Sequence, residues 1–175
     1  SRPGVSSDCW LQAGREYVAV PMCLLDAEFT ASIACVGSQA VAMRDYRLKK
    51  DAVRRAWAAY ARANDASGGE SFQGAVLYLG KAEGGSIVVL AENRSKVHLR
   101  VELAMESTGI RFSRGADRTS DWLAPGQAQI VQVGMPDESK GRAVSWRSKH
   151  AFQMTGKEPG GPLQEPPVQS DGLHA

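Results

Sequence analysis

Within "SSDCWLQAGREYVAVPM", Cys9 is followed by Trp10 and Leu11, and a cysteine in that company is a candidate nucleophile. Thiol catalysis needs a thiolate, a histidine to hold its proton, and an Asn or Asp to orient that histidine. The thiolate is favoured at a helix N-terminus, where free N–H groups and the helix dipole stabilise negative charge. Cys9 does not meet these conditions. Gly14 and a β-type run containing Tyr17, Val18 and Val20 follow within a few residues and leave no room for such a helix. The histidines are His98 in an alternating strand pattern, His150 after the last predicted strand, and His174 in the tail. None has an orienting partner segment beside it. Cys9 is expected to be a small hydrophobe at a strand edge, and no catalytic residue is assigned.

Other chemistries fare no better. Cys9, Cys23 and Cys35 fit no zinc spacing and have no nearby His, so they read as reduced thiols of an intracellular protein. A calcium site would need several carboxylates on adjacent loops. The pairs available are Asp26 with Glu28, Asp117 with Asp121, and Asp137 with Glu138, none in a dense acidic cluster. Ion pairing or turn capping is the expected role of these residues, so no metal or other cofactor is assigned, and calcium is unsupported. "GKAEGG" lacks the spacing of a phosphate-binding loop and does not lead into a helix. A net charge of +2 over 175 residues gives nucleic-acid binding no support.

One segment has a functional edge. In "RDYRLKKDAVRRAWAAYARAN" the residues Tyr46, Val53, Trp57 and Tyr60 recur at helical spacing and share a face. Arg47, Arg54, Arg55 and Arg62 fall on the other face, with Lys50 at its border. Residues 44–62 hold seven basic and two acidic side chains. These five cations are the candidate contacts for an acidic partner or an anionic membrane surface. The competing expectation is that the aromatic face packs on a sheet and leaves the arginines solvated.

The elements that would position these residues are mostly strands. Residues 16–24 and 33–43 are β-patterned, the latter as two short pieces or one bent strand. After the helix, strands are predicted at 75–79, 86–91, 97–103, 110–113, 128–133 and 143–146. Gly84-Gly85 signals a hairpin and "ENRS" a turn. Hydrophobic residues at 43% and charged residues at 23% fit a chain that buries a core. About eight short strands argue for a mainly β fold, an antiparallel β-sandwich with one amphipathic helix packed on it. The sandwich is expected over residues 1–154. The Pro/Gly-rich residues 155–175 are expected to be a disordered tail. The chain opens without Met in a polar run, as a piece of a longer protein would.

Several of these residues also form a pattern. Val88 and Val89 lead to Glu92-Asn93-Arg94, then come Ser113-Arg114-Gly115, Thr119, Asp121, Pro125 and the run from Gln129 to Val133. This resembles the C-terminal β-sandwich region of small-optic-lobes-type calpains, large intracellular cysteine proteases. In that family a strand ending in "VENR" precedes a "STRG" segment and a "QVL" strand. Upstream, "DCWLQAGREYVAVPM" and "IACVGSQAVAM" are similar to the family's first strands. The resemblance spans about residues 8–150 and is densest over 87–133. It departs at Gly126, where the family has a second proline, and in the basic, Ala-rich helix. It implies a non-catalytic regulatory domain of a calpain-like protease, making protein or membrane contacts. The alternatives are a membrane-binding module using the basic helix, and a structural subunit of a large intracellular assembly.

Overall fold

The computed structural model describes residues 11–17, 41–45, 52–81, 85–137, 139 and 143–156. Helix α1 spans Ala52–Ala63 and is followed by eight strands. These are β1 Glu70–Phe72, β2 Ala75–Lys81, β3 Ile87–Asn93, β4 His98–Thr108, β5 Ile110–Phe112, β6 Arg118–Leu123, β7 Ala128–Pro136 and β8 Ser145–Thr155. They form two antiparallel sheets, a five-stranded one in the order β1-β2-β3-β7-β5 and a three-stranded one in the order β6-β4-β8. The expected antiparallel sandwich with one packed helix is the fold found.

The sequence of each strand records what covers its faces. β3 is an unbroken apolar run, IVVLA, because both of its faces are dry. Ile87, Val89 and Ala91 point into the core between the sheets, with Leu77 of β2, Val131 of β7 and Leu99, Val101, Leu103 and Met105 of β4. Val88 and Leu90 point the other way and meet α1 through Ala58 and Ala61. Among the described residues no helix covers the outer face of β4, which alternates accordingly, with His98, Arg100, Glu102 and Glu106 turned outward. Between Val89 and Leu90 the register with β7 shifts, so that Val89 faces Gln132 while Leu90 faces Ile130. Val131 is the extra residue of that bulge.

The helix lies very close to the sheet. Ala61 is fully buried, and a Cβ added at Gly80 would sit 2.6 Å from the Ala61 Cα. Trp57 and Tyr60 flank this contact, half-buried and edge to face with centroids 6.0 Å apart. The contact therefore centres on Ala58 and Ala61, with the predicted aromatic face as its rim. Asp65 fixes the exit from the helix, accepting hydrogen bonds from the Leu79 N–H at 2.7 Å and from both the N–H and the hydroxyl of Ser67.

Several expectations are corrected. Residues 41–45 lie outside the helix, whose described part begins at Ala52. "ENRS" lies at the end of β3, where a turn is expected. It carries the chain from β3 in one sheet to β4 in the other. His150 lies inside β8, which runs on to Thr155. Strands β1 and β6 were not predicted. β1 joins β2 through Gln73-Gly74, both at positive φ as a two-residue type I′ hairpin requires. Most of the predicted segments 33–43 and 16–24 falls outside the described residues, as do all three cysteines and the tail from 157. The described parts, residues 16–17 and 41–43, are not in strands.

The Gly80 contact yields a stability test. Gly80→Ala drives a methyl into helix backbone that can yield only by moving α1. The expected loss is about 1–3 kcal/mol, measured by urea denaturation followed by circular dichroism.

Candidate functional site

The polar motif residues converge on the places where the chain crosses between sheets. Arg114 lies on the segment from β5 to β6 and is 1% exposed. Its two terminal nitrogens each donate to one oxygen of Asp121 on β6, both at 2.7 Å. Asp121 Oδ1 also accepts from Gln129 Nε2 on β7 at 3.0 Å, so a single carboxylate holds the crossover and both sheets. Beside it, the Ser113 hydroxyl donates to Gln132 Oε1 at 3.1 Å and accepts from the Val133 N–H, and Gln132 Nε2 donates to the Ala116 carbonyl. The planar guanidinium matches the carboxylate in two parallel bonds, a geometry that lysine cannot reproduce.

The second crossover is held by Asn93. Its Nδ2 donates to the carbonyls of Val97 and Leu123 at 2.8 and 3.0 Å, and its Oδ1 accepts from the N–H and hydroxyl of Ser95. Next to it, Glu92 joins the helix to the sheet. One oxygen accepts from Arg62 of α1, and the other accepts from Arg94 at 2.6 Å. Arg94 also donates to the Tyr78 hydroxyl. Burial pushes the Glu92 carboxyl up, but the hydrogen bonds and charges of Arg62 and Arg94 outweigh it and hold it below its ordinary value.

Three of the five basic candidates lie in the described residues. Arg47 and Lys50 fall outside them. Arg54 is half-buried, Arg55 is exposed, and Arg62 is bound to Glu92. Among the described carboxylates weighed for calcium, Asp121 is taken up by Arg114, and Asp137 accepts from Arg111 and Ser139. Ser139 and Arg111 bring the Asp137 carboxyl below its ordinary value despite the opposing effect of burial. No group of three or more His, Cys, Asp or Glu side chains that could hold a metal exists among the described residues. Asp26, Glu28 and Glu138 fall outside them.

A feature missed in the sequence lies at the opposite side of the sandwich. The short edge strand β1 and the long edge strand β8 border a pocket of about 310 Å³. It is lined by Glu70, Ser71, Phe72, His150, Ala151 and Phe152. His150 Nε2 and Glu70 Oε2 stand 3.2 Å apart across it, and Phe72 is 52% exposed. Two residues of polar β1 side chains gave no strand signal. The Gln73-Gly74 turn, with its required glycine, was the one available clue.

Fold and site together define the class, an antiparallel β-sandwich domain with one packed helix and its polar motif turned to internal ties. The chain belongs to the calpain-D-like C-terminal domain family, whose family model matches residues 61–158. The matched stretch contains the last turn of α1 and all eight strands. A C-terminal domain of this kind is not the catalytic protease domain of a calpain. No curated protein and no solved structure matches the chain.

Two predictions follow from the buried charges. Asp121→Ala leaves the Arg114 guanidinium buried without its anion and should cost about 3–5 kcal/mol in urea denaturation. Arg114→Met combined with Asp121→Leu should recover most of that loss, because the isolated charge is what destabilises. Glu92 supplies a pH signature. A carboxylate with a depressed folded pKa stabilises the fold above its unfolded pKa, and that contribution disappears as pH falls through the lower folded value. Glu92→Gln should thus be less stable than the original chain at pH 7, by about 1–3 kcal/mol. The gap should narrow as pH drops below the ordinary glutamate value of about 4.3. A gap that is constant from pH 7 to pH 3 would contradict the assignment.

Proposed function

We propose that this chain is a non-catalytic regulatory and interaction domain of an intracellular calpain-like cysteine protease. It meets a protein partner or the neighbouring protease domain. The observation that supports this most is how the motif side chains are spent. Glu92, Asn93, Arg94, Arg114, Asp121 and Gln129 bond to one another or to nearby backbone and hold the crossovers and the helix in place. A hydrolytic centre keeps its nucleophile, base and oxyanion donors turned toward a substrate. Side chains used instead as fasteners make a rigid scaffold, and a rigid surface is what a contact domain offers.

The reading of the basic helix as a membrane-binding element has less support. α1 packs Ala58 and Ala61 against the sheet with Trp57 and Tyr60 beside them, and one of its arginines is held by Glu92. A helix lying in a membrane interface needs its apolar face for lipid. Among the described residues no helix is long and apolar enough to cross a membrane.

Two measurements test the proposal. The isolated chain should not hydrolyse a fluorogenic calpain peptide, with or without Ca²⁺. Hydrolysis that Cys9→Ala abolishes would overturn the non-catalytic assignment. Removing this domain from the parent protease should alter its peptide hydrolysis or its partner binding. A deletion that changes neither would reject the regulatory role.

A further inference from the structure

β8 is eleven residues long and forms one edge of its sheet, paired with β4 along its length. Among the described residues no strand pairs with its other side. An edge of this length presents a row of backbone donors and acceptors that an extended chain can match. Its side chains indicate which chain. β8 reads SWRSKHAFQMT and contains no acidic residue. Arg147 and Lys149 point outward, and Arg118 of β6 joins them around Glu106 of β4, while Glu102 on the same face is paired with Arg100. Lys149 bonds to Glu106 at 2.9 Å, which leaves this part of the surface with an excess of positive charge. On the inner side of the same edge lies the pocket between β8 and β1, with Phe72 and Phe152 in its wall.

We propose that the β8 edge takes an extended segment of a partner protein as an added strand, with acidic side chains alternating with apolar ones. Strand geometry sends successive side chains to opposite faces. The acidic row of the incoming segment then lies beside Arg147 and Lys149, and its apolar row enters the pocket by Phe72. Backbone pairing supplies affinity, while the basic row sets the sign of the charge accepted. This inference rests on the interaction role proposed above and gives it a surface and a partner chemistry.

The test uses the full 175-residue chain and a fluorescein-labelled peptide of about ten residues, the length of an ordinary long strand, alternating Glu and Val. Anisotropy at low salt should show binding that weakens as salt rises. Arg147→Gln with Lys149→Gln should weaken it roughly tenfold, as loss of two exposed charge pairs allows. Prolines at alternate positions of the peptide remove its strand donors and should abolish binding without touching the protein. Hydrogen exchange should show new protection in β8 when the peptide is bound.

Equal binding of the counterpart with Lys in place of Glu would overturn the charge assignment. Undiminished binding of the proline peptide would overturn strand addition. Complete protection of β8 before any peptide is added would show the edge already filled by this chain or a second copy, and would also reject the proposal. If the peptide fails while deletion of the domain still changes the parent protease, the surface is wrong and the regulatory role stands. Failure of both removes the role as well.

Discussion

Arg114 and Asp121 are nearly excluded from solvent, and the architecture depends on their staying together. Moving two charges out of water costs several kcal/mol per ion, and only close, well-formed geometry offsets it. Here the fork of the guanidinium meets both carboxylate oxygens at 2.7 Å, and Gln129 supplies a third bond to the same acid. The pair sits where β5 of one sheet gives way to β6 of the other. A sandwich is most easily misassembled at such a crossing, because hydrophobic burial alone is indifferent to small slips between facing sheets. A directional ion pair is not indifferent. We read its role as fixing how the two sheets meet, with little net contribution to stability.

The same logic explains why the Glu92-Asn93-Arg94 segment ends β3. Asn93 bonds to Leu123 at the end of β6 and to the Ser95–Val97 loop, which fixes the other crossing. Glu92, one residue earlier and therefore on the opposite face, reaches Arg62 of α1. Adjacent residues of one strand thus fasten different layers, Asn93 the second sheet and Glu92 the helix. The Gly80–Ala61 approach adds a contact without side chains, which sets the distance between helix and sheet while Glu92 sets its direction.

How much of this was legible in the sequence depended on which face each residue turned. β3 and β4 were visible because one is dry on both sides and the other on one, and the two patterns differ as expected. β6 was missed for a physical reason. Its inward positions are Thr119, Asp121 and Leu123, and two polar residues on a buried face break the alternation that marks a strand. The residue that hid the strand is the one that makes the ion pair. Arg62 was placed on the solvated face of its helix by periodicity alone, since a sequence does not show that a buried acid waits across the layer. The pattern resembling the small-optic-lobes-type calpains was carried by these same residues, so the family was legible while their role was not.

The two sides of the sandwich are finished differently. On the side of β5 and β6 the crossover, the ion pair and the glutamine bonds join the sheets. On the side of β1 and β8 a three-residue strand stands against one of eleven, and the polar tie found between them among the described residues is Glu70 with His150. Edge strands in soluble proteins are commonly shortened, covered or charged, because an open ladder recruits other chains. β1 follows the first course. β8 follows the third in part, with Arg147 and Lys149 on one face, but its half-buried row includes Trp146, Phe152 and Met154, which pack against the core. Charge of one sign repels a second basic edge and welcomes an acidic one. One side of the sandwich is thereby tied by buried polar bonds between the sheets, while the other is bordered by a long basic edge.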